Sequence, residues 1–538
     1  MRNRQLTHTE LWTILILFLA ILFGGLVRFA PAVLSDFPIN DGGMFYVMIE
    51  ELQANHYVLP ETTDYNGLKI PFVYPPLGFY LGGFVVDLFN VNIFDLLLWF
   101  PAVICTLSVF AFFLMAKNVL DSAVKGALAA FVFALMPRSF SWLLMGGGLT
   151  RSLGQLFFLL TVNSVYLVLA RGSRRSLWSA MIFGGLVCLS HPENILHTAV
   201  ICLLLVIFYV RSIEKVFDAC KIAFGVLLVS SPWWITILLR HGVDPFLAAS
   251  RTGFHDQYIW IELILLDFVE EKFVTLLTVL GLIGLGIQLF RKQYFLPLWL
   301  VIPFLIDPRS ASSIAIMPLA LMAAISLSDM ILPGLLAVER GNPPTVDFST
   351  SWVDEGMRSK AIRVTLGYIA IMALIMSYGY ALSLSSYRLN TDDREAMHWV
   401  GQNTPPGARF LIVTGKDEPL GDLTQEWFPV LSGRQSLTTV QGLEWLSDDA
   451  FTRRYEELPN LQACTNRDVS CLSTWADKND LKYDYVFIER TVLVPSYGLE
   501  TFPELPAVLL NSLLTAPEYK LIYEAGGVLI FDYKNSSL

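Results

Sequence analysis

Residues 11–43 read LWTILILFLAILFGGLVRFAPAVLSDFPINDGG. A helix needs roughly 20 mostly apolar residues to cross a bilayer, and the run Leu11–Val33 meets that length. Arg2 and Arg4 precede it, and no small-residue cleavage site follows. The run therefore reads as a signal anchor rather than a removed leader. Positive charge stays in the cytoplasm, which puts the N-terminus inside and the polar loop after residue 33 outside.

Outward from this span, further apolar runs lie at about 97–116, 123–137, 153–170, 176–191, 194–211, 217–238, 265–290, 294–306, 311–330 and 361–383. The expectation is a polytopic α-helical membrane protein with about 11 transmembrane helices. Under this count the clusters Lys117/Lys125, Arg171/Arg174/Arg175, Arg211/Lys215/Lys221, Arg291/Lys292 and Arg358/Lys360/Arg363 all fall on one side. One apolar stretch, Leu77–Phe89, is left over. If it crossed, every later basic loop would flip outward, so it reads as a juxtamembrane or re-entrant helix on the outer face. The first outer loop then runs over about 34–96.

Composition agrees. Of 538 residues, 54% are hydrophobic and 16% charged, and the mean hydropathy is +0.54. An ordinary soluble domain carries about 25% charged residues. These values exclude a soluble enzyme, a disordered chain, a collagen and a disulfide-stapled module. The formal charge of −10, with no basic tract, argues against a nucleic-acid partner. From residue 384 onward there are 13 Lys and Arg against 22 Asp and Glu, so nearly all the net charge lies there. The division expected is a membrane domain, 1–383, and an acidic soluble domain, 384–538. An odd number of spans places the second part outside the plasma (inner) membrane.

Phe410–Val413, Tyr485–Ile488, Leu521–Tyr523 and Val528–Phe531 read as strands, and Thr391–Asn403 and Leu505–Leu514 as helices. That mix predicts a small α/β or α+β domain. Cys464 and Cys471 are a disulfide candidate in an oxidising compartment. Cys105, Cys188, Cys202 and Cys220 lie in or beside spans and read as buried apolar residues. The segment 335–360, with Pro343-Pro344, reads as a polar, mobile cytoplasmic loop.

The outer segments collect ionisable groups, which are costly at a membrane boundary unless they pair or work. They include Asp41, Arg138, Arg151, His191, Glu193, His255, Asp256, Asp307 and Arg309, with Tyr74-Pro75-Pro76 among them. Arginine forks match phosphate oxygens, and a carboxylate can serve as a general base. Each residue also has a plainer role. Asp41 could cap a helix over Gly42–Gln53. Arg138 and Arg151, on either side of Gly146-Gly147-Gly148, could snorkel to headgroups. Pro192 could simply break a helix between His191 and Glu193. Asp307-Pro308-Arg309 could be a tight turn with a local ion pair, and His197 a satisfied core histidine. No Walker loop or Rossmann glycine turn is present, and the Cys and His spacings make no zinc site.

The first span, the loop Asn40-Asp41-Gly42-Gly43 with Tyr46, and Tyr74-Pro75-Pro76-Leu77 leading a second amphipathic helix together resemble the GT-C superfamily of membrane glycosyltransferases. Protein O-mannosyltransferases, aminoarabinose transferases and oligosaccharyltransferases belong to it. The segment Asp393–Trp399, followed by Asn403-Thr404-Pro405-Pro406, is similar to the start of the outer domain in prokaryotic members. So is Glu426-Trp427-Phe428-Pro429 with Gly433-Arg434. The resemblance implies inverting transfer of a sugar from a polyprenyl-phosphate donor to an acceptor hydroxyl on a lipid, glycan or protein. It implies Asp41 as the base and Arg309 on the lipid phosphate, with Arg138 and Arg151 as further phosphate candidates. Members with a Lys before the Pro pair use it near the phosphate. Tyr74 stands there in this chain, and Lys69 is the candidate substitute. Tyr74, His191, Glu193, His255 and Asp256 are the candidates for contacting substrate. A divalent metal, Mg or Mn, on His191, Glu193 or Asp256 stays open. Three alternatives stand beside this reading: a polytopic transporter or lipid-linked glycan flippase, a glycan ligase or polymerase, and a GT-C-like scaffold without chemistry. The absence of an internal repeat weighs against the transporter.

Overall fold

The computed structural model describes residues 6–251, 274–341, 352–356, 358–446, 449–490, 494–496, 499–501 and 507–534. The first helix, α1 (His8–Leu34), opens on a capping box: the Thr7 hydroxyl accepts from the Glu10 amide, and the Glu10 carboxylate accepts from the Thr7 amide. Chain order then gives α2 (Gly43–Ala54), a hairpin of β1 (Thr62–Tyr65) and β2 (Leu68–Pro71), α3 (Leu77–Phe89), α4 (Ile93–Val119) and α5 (Ala123–Leu135). After a bent turn at 137–144 come α6 (Gly148–Arg171), α7 (Arg175–Cys188), α8 (Pro192–Tyr209), α9 (Ile213–His241) and α10 (Asp244–Arg251). The membrane part closes with α11 (Leu276–Phe290), α12 (Phe295–Ile306), α13 (Pro308–Ser326) and α14 (Lys360–Leu384).

Ten of the eleven expected spans fall on these helices; of the remaining one, 265–290, residues 265–273 lie outside the described residues and the rest contains α11. The chain is a multi-pass membrane protein. Among the described residues seven helices are long and apolar enough to cross alone. The number rises to nine if two bent pairs each count as one span: Ala123–Leu135 with Pro137–Leu144 at 94°, and Leu276–Phe290 with Phe295–Ile306 at 116°. Leu77–Phe89 is a separate 13-residue helix, as expected for the leftover stretch. Its buried Gly78, Phe79, Gly82 and Gly83 let it lie flat on its neighbours.

Two expectations need correction. The polar loop at 335–360 is partly helical. A π turn at Leu327–Ile331 carries α13 on into Leu332–Glu339, and Trp352, in the short helix Trp352–Gly356, is fully buried with its ring edge against Trp12. Pro343 and Pro344 lie outside the described residues. Cys220 is exposed on α9 rather than buried.

Two of the basic clusters expected on one side meet at a single carboxylate. Lys125 and Arg291 converge on the buried Asp329 at 2.6 and 3.0 Å, and Arg171 pairs with Asp121 at 2.7 Å.

The C-terminal region holds α15 (Thr391–Asn403), β3 (Arg409–Val413), α16 (Leu423–Ser432), β4 (Gln435–Ser436), α17 (Ala450–Gln462), α18 (Ser470–Lys478) and β5 (Tyr485–Glu489). A small hairpin of β6 (Val494–Ser496) and β7 (Leu499–Thr501), then α19 (Ala507–Thr515), β8 (Tyr519–Ala525) and β9 (Val528–Tyr533) complete it. The main sheet runs β4-β3-β5-β9-β8. It is parallel from β4 to β5 and antiparallel beyond. Successive residues of a strand face opposite sides. Leu411, Val413, Val486 and Ile488 therefore enter a core with α17, α18 and α19, closed by the Cys464–Cys471 disulfide. Phe410, Ile412 and Phe487 enter the other core, with Ala396, Met397, Trp427 and Phe428. That second core also takes Phe37, Phe45, Ile49, Tyr65, Phe72 and Phe79 from the loop after α1, so it crosses residue 384.

Asp329 pairs its single charge with two cations at one end of the bundle. Removing one partner of a buried pair leaves charge uncompensated, which costs roughly 3 kcal/mol at the low end of the range. The low end applies because Lys125 and Arg291 keep partial solvent contact. Asp329→Ala is expected to lower the thermal unfolding midpoint in detergent, and a double change that also neutralises Lys125 to recover part of it.

Candidate functional site

Where the loop after α1 meets the N-terminus of α6, the chain encloses a cavity of about 790 Å³. Asp41 is one of its lining residues. Asn40 adopts a left-handed conformation (φ 56°) and Gly42 a φ of 129°, which only glycine takes without strain. This turn presents the Asp41 side chain to the cavity instead of to helix α2. The cap of α2 is Gly42, with no side-chain bond, so Asp41 is not a helix cap. Its Oδ1 accepts from the Gly147 amide at 2.9 Å and its Oδ2 from Arg151 at 2.6 Å. The Arg151 guanidinium lies over the Trp142 ring, 4.2 Å from its centroid. The Asp41 side chain keeps 24% exposure, so the carboxylate is reachable from the cavity.

Gly146 and Gly147 make this approach possible, and Gly148 makes room for the preceding turn. A Cβ on Gly146 would stand 1.8 Å from the Asp41 carbonyl oxygen, and one on Gly147 2.6 Å from Asp41 Oδ2. A Cβ on Gly148 would stand 1.9 Å from the Leu143 carbonyl. The Gly146 amide in turn donates to the Ile39 carbonyl at 2.7 Å.

A second polar group lines the same cavity. Arg309 approaches Glu193 of α8 at 3.8 Å. Asp307 bonds Ser310 at 2.8 Å and lies 3.5 Å from His197, while His197 meets the same Ser310 hydroxyl at 2.8 Å. Burial raises the Asp307 carboxyl, but the bonds from His197 and Ser310 outweigh it and hold it below its ordinary value. The turn at 307–309 thus pairs outward to α8, not with itself. His197 is a buried histidine, as the plainer reading expects, but only its Nε2 is bonded; its Nδ1 has no hydrogen-bond partner among the described residues. His191 is buried beside Tyr74, with ring centroids 6.1 Å apart, and Tyr74 packs between Phe45 and Trp445.

The cavity therefore brings together Asp41, Arg151, Arg309, Tyr74, His191 and Glu193 of the expected residues. Lys69 and Arg138 are not among its lining residues. Lys69 sits opposite Asp64 in the β1–β2 hairpin, which turns it away. Arg138 lies in the bent turn at Pro137–Ser139. His255 and Asp256 lie outside the described residues. Among the described residues no group of three or more His, Cys, Asp or Glu is gathered closely enough to hold a metal ion, so His191 and Glu193 make no such set here.

Residues beyond the sequence expectation come from the C-terminal region: Glu426, Gln441, Glu444 and Trp445 all line the cavity. Glu426 was visible only as part of a resembling motif. The signal for it was a lone carboxylate in the otherwise apolar stretch Trp427-Phe428-Pro429-Val430-Leu431 and its approach. Its Oε1 accepts from the Gly42 and Gly43 amides at 2.7 and 3.0 Å, and its Oε2 from Gln441 at 3.1 Å. Burial, then the charge of Asp41, push the Glu426 carboxyl up to about 8, against the pull of the two glycine amides.

No protein-family model matches the sequence, and no curated protein matches it. Solved structures do. The chain superposes on the oligosaccharyltransferase AglB of Archaeoglobus fulgidus, solved with an inhibitory peptide and a dolichol-phosphate, with a TM-score of 0.57 at 17% identity, covering 98% of this chain and 74% of that one. It superposes on ArnT of Cupriavidus metallidurans, bound to undecaprenyl phosphate, with a TM-score of 0.57 at 14% identity over 98% of both chains. The arabinofuranosyltransferase AftD from Mycobacteria gives 0.56 at 16% identity, covering 97% of this chain and 40% of that one. The chain has the GT-C fold. The GT-C architecture extends over the membrane helices and the sheet-containing C-terminal region together, since the superposition on ArnT leaves almost nothing of either chain out.

Glu426 also sets a pH dependence. With a folded value near 8 and an unfolded one near 4.3, the folded state holds the proton more tightly. Its contribution to stability is full below about 4.3 and is lost as pH rises to about 8. Glu426→Gln carries no such group. Between pH 5 and pH 8 the unfolding midpoint of Glu426→Gln is expected to gain steadily on that of the parent. A difference that stays constant across this range would refute the assignment.

Proposed function

We propose that this protein is an inverting membrane glycosyltransferase. It moves a sugar from a polyprenyl-phosphate donor to an acceptor hydroxyl. The observation that carries the reading is one cavity holding an accessible carboxylate, Asp41, together with two guanidinium groups, Arg151 and Arg309. The fold supports it, because the GT-C neighbours named above include chains solved with dolichol-phosphate and with undecaprenyl phosphate. We place the cavity at the outer face of the plasma membrane, with the N-terminus cytoplasmic and residues 384–538 as a soluble extracytoplasmic domain, on the strength of the basic clusters at the opposite end.

In this mechanism the acceptor hydroxyl binds against Asp41. Two oxygens carry about four lone-pair sites. Gly147 and Arg151 engage one on each oxygen, which leaves the others for the hydroxyl proton. As the hydroxyl oxygen attacks the anomeric carbon, Asp41 takes its proton and the bond from that carbon to the phosphate oxygen breaks. The phosphate leaves on its lipid, and the electron pair it carries away is stabilised by Arg309 and Arg151. Arg151 is buried and already fixed by Trp142, so little reorganisation accompanies the charge. Arg309 is more exposed and only loosely tied to Glu193, which suits a group that meets an incoming lipid headgroup. Tyr74 and Trp445 offer flat apolar faces beside Asp41 for a sugar ring. No step is routed through a metal ion.

Two substitutions test the reading on protein reconstituted with polyprenyl-phosphate sugars. Asp41→Asn keeps the shape and removes the base, and transfer is expected to fall by at least about 100-fold while expression and thermal midpoint hold. A fully active Asn variant would overturn the role of Asp41. Arg309→Ala is expected to raise the donor KM by roughly tenfold or more, the value of a charge-assisted contact, with little change in stability. An unchanged donor KM would remove Arg309 from the phosphate site.

A further inference from the structure

The loop that carries Asp41 is gripped by two consecutive residues of a helix nearly four hundred positions later. Glu426 of α16 takes the amides of Gly42 and Gly43, at 2.7 and 3.0 Å, on one carboxylate oxygen. The Trp427 indole N–H donates to the Asn40 carbonyl at 2.8 Å. The residue before Asp41 and the two after it are therefore all tied to α16. The fit is close: a Cβ on Gly43 would stand 2.8 Å from the Glu426 carbonyl oxygen. That carbonyl in turn accepts from the Tyr65 hydroxyl of the β1–β2 hairpin at 2.6 Å, which fixes the helix against the same loop. Trp427 is fully buried and packs its ring edge on Phe37 at 4.8 Å, just upstream of the loop.

These contacts have a consequence for the chemistry. The turn rests on a positive φ that glycine takes freely at Gly42 and on a left-handed Asn40, so its backbone would move to other conformations without the contacts to α16. The Asp41 side chain would then leave the Gly147 amide and Arg151. We infer that Glu426 is a positioning residue for the reaction: as a buried hydrogen-bond acceptor supplied by the C-terminal region, it holds the 40–43 turn so that the Asp41 carboxylate faces the cavity. The inference rests on the reading of Asp41 as the base, but the clamp itself is observable without any turnover. Its requirement is an acceptor oxygen at the end of the side chain. The amide oxygen of a glutamine meets it, and an alanine does not.

The test uses the full-length protein in nanodiscs. Hydrogen exchange is read on peptides covering residues 40–45, and transfer kinetics are measured on the same samples. In Glu426→Ala the Gly42 and Gly43 amides are expected to exchange roughly tenfold faster or more, the value of bonds to a buried carboxylate. The kcat is expected to fall by up to about 100-fold, as for a misplaced catalytic group, with donor KM near the parent value. Glu426→Gln is expected to recover most of the protection and most of the kcat. Trp427→Phe keeps an aromatic side chain but removes the N–H together with part of the fused ring, so it reads the other half of the clamp if the alanine variant fails to fold; faster exchange at 41–43 with reduced kcat is expected there too. Unchanged exchange at 40–45 in Glu426→Ala, or a Gln variant as impaired as the Ala variant, would overturn the inference. An active Asp41→Asn alongside faster exchange in Glu426→Ala would instead overturn the base and leave the clamp standing.

Discussion

Asp41 is held by one amide and one guanidinium at the point where the first long loop meets the start of α6, and the arrangement of the surrounding elements follows from that contact. The Gly147 amide is one of the unpaired donors at a helix N-terminus, where a negative charge is favoured by the backbone dipoles. Arg151, one turn further along the same helix, adds a full charge from the same direction. For the carboxylate to reach both, two stretches of backbone must pass within van der Waals contact. That is why residues 146 and 147 carry no side chain and why Gly42 adopts a φ of 129°.

The same close approach explains the relation between the membrane helices and the sheet. A sheet buried on both faces has strands that are apolar throughout rather than alternating, and Phe410-Leu411-Ile412-Val413 is such a strand. One face of it closes on its own helices. The other closes on the loop after α1, so Phe37, Phe45, Tyr65 and Phe72 complete a core they share with Trp427 and Phe428. The loop cannot bury these aromatics alone, and the sheet cannot cover its second face alone. The charge of the chain divides at residue 384, while this core takes residues from both sides of that point.

Much of this was legible in the sequence because it depends on local length and period. Apolar runs marked the helices, and the four apolar strand runs fell on β3, β5, β8 and β9. Thr391–Asn403 was bounded correctly by the Asn390 cap and the Pro405-Pro406 pair that follows. Asp41, Arg151 and Arg309 stood out because a charge at a membrane boundary is costly. What was not legible depended on pairing at long range. The β1–β2 hairpin turns Lys69 away, and nothing within 34–96 reveals it except that the loop folds on itself. The 94° bend after α5 places Arg138 in a turn away from the cavity wall. The role of Gly146–Gly148 becomes visible only when Asp41 is placed against them. Glu426 stands in the sequence only as part of a resembling motif, and its bonds to Gly42 and Gly43 appear only in the fold.

The cavity wall also separates its charges by origin. Arg151 and Arg309 both come from the first turns of long membrane helices, α6 and α13. Among the described residues, the side chains that the C-terminal region adds are Leu420, Glu426, Gln441, Glu444 and Trp445, none of them a cation. Burial raises the Glu444 carboxyl, as it does that of Glu426, which reaches about 8. A phosphate entering between these walls is drawn to the helix side, where both arginines are. The opposite wall, with carboxyl and amide oxygens beside an indole, is suited to hydroxyl groups and an uncharged ring. In the proposed reaction Asp41 stands on the seam between the two, with Arg151 behind it on the phosphate side and the Glu426 clamp on the hydroxyl side. A base placed there can take a proton from one wall while the leaving phosphate is held by the other, and that division of labour requires the membrane helices and the sheet to be one packed unit.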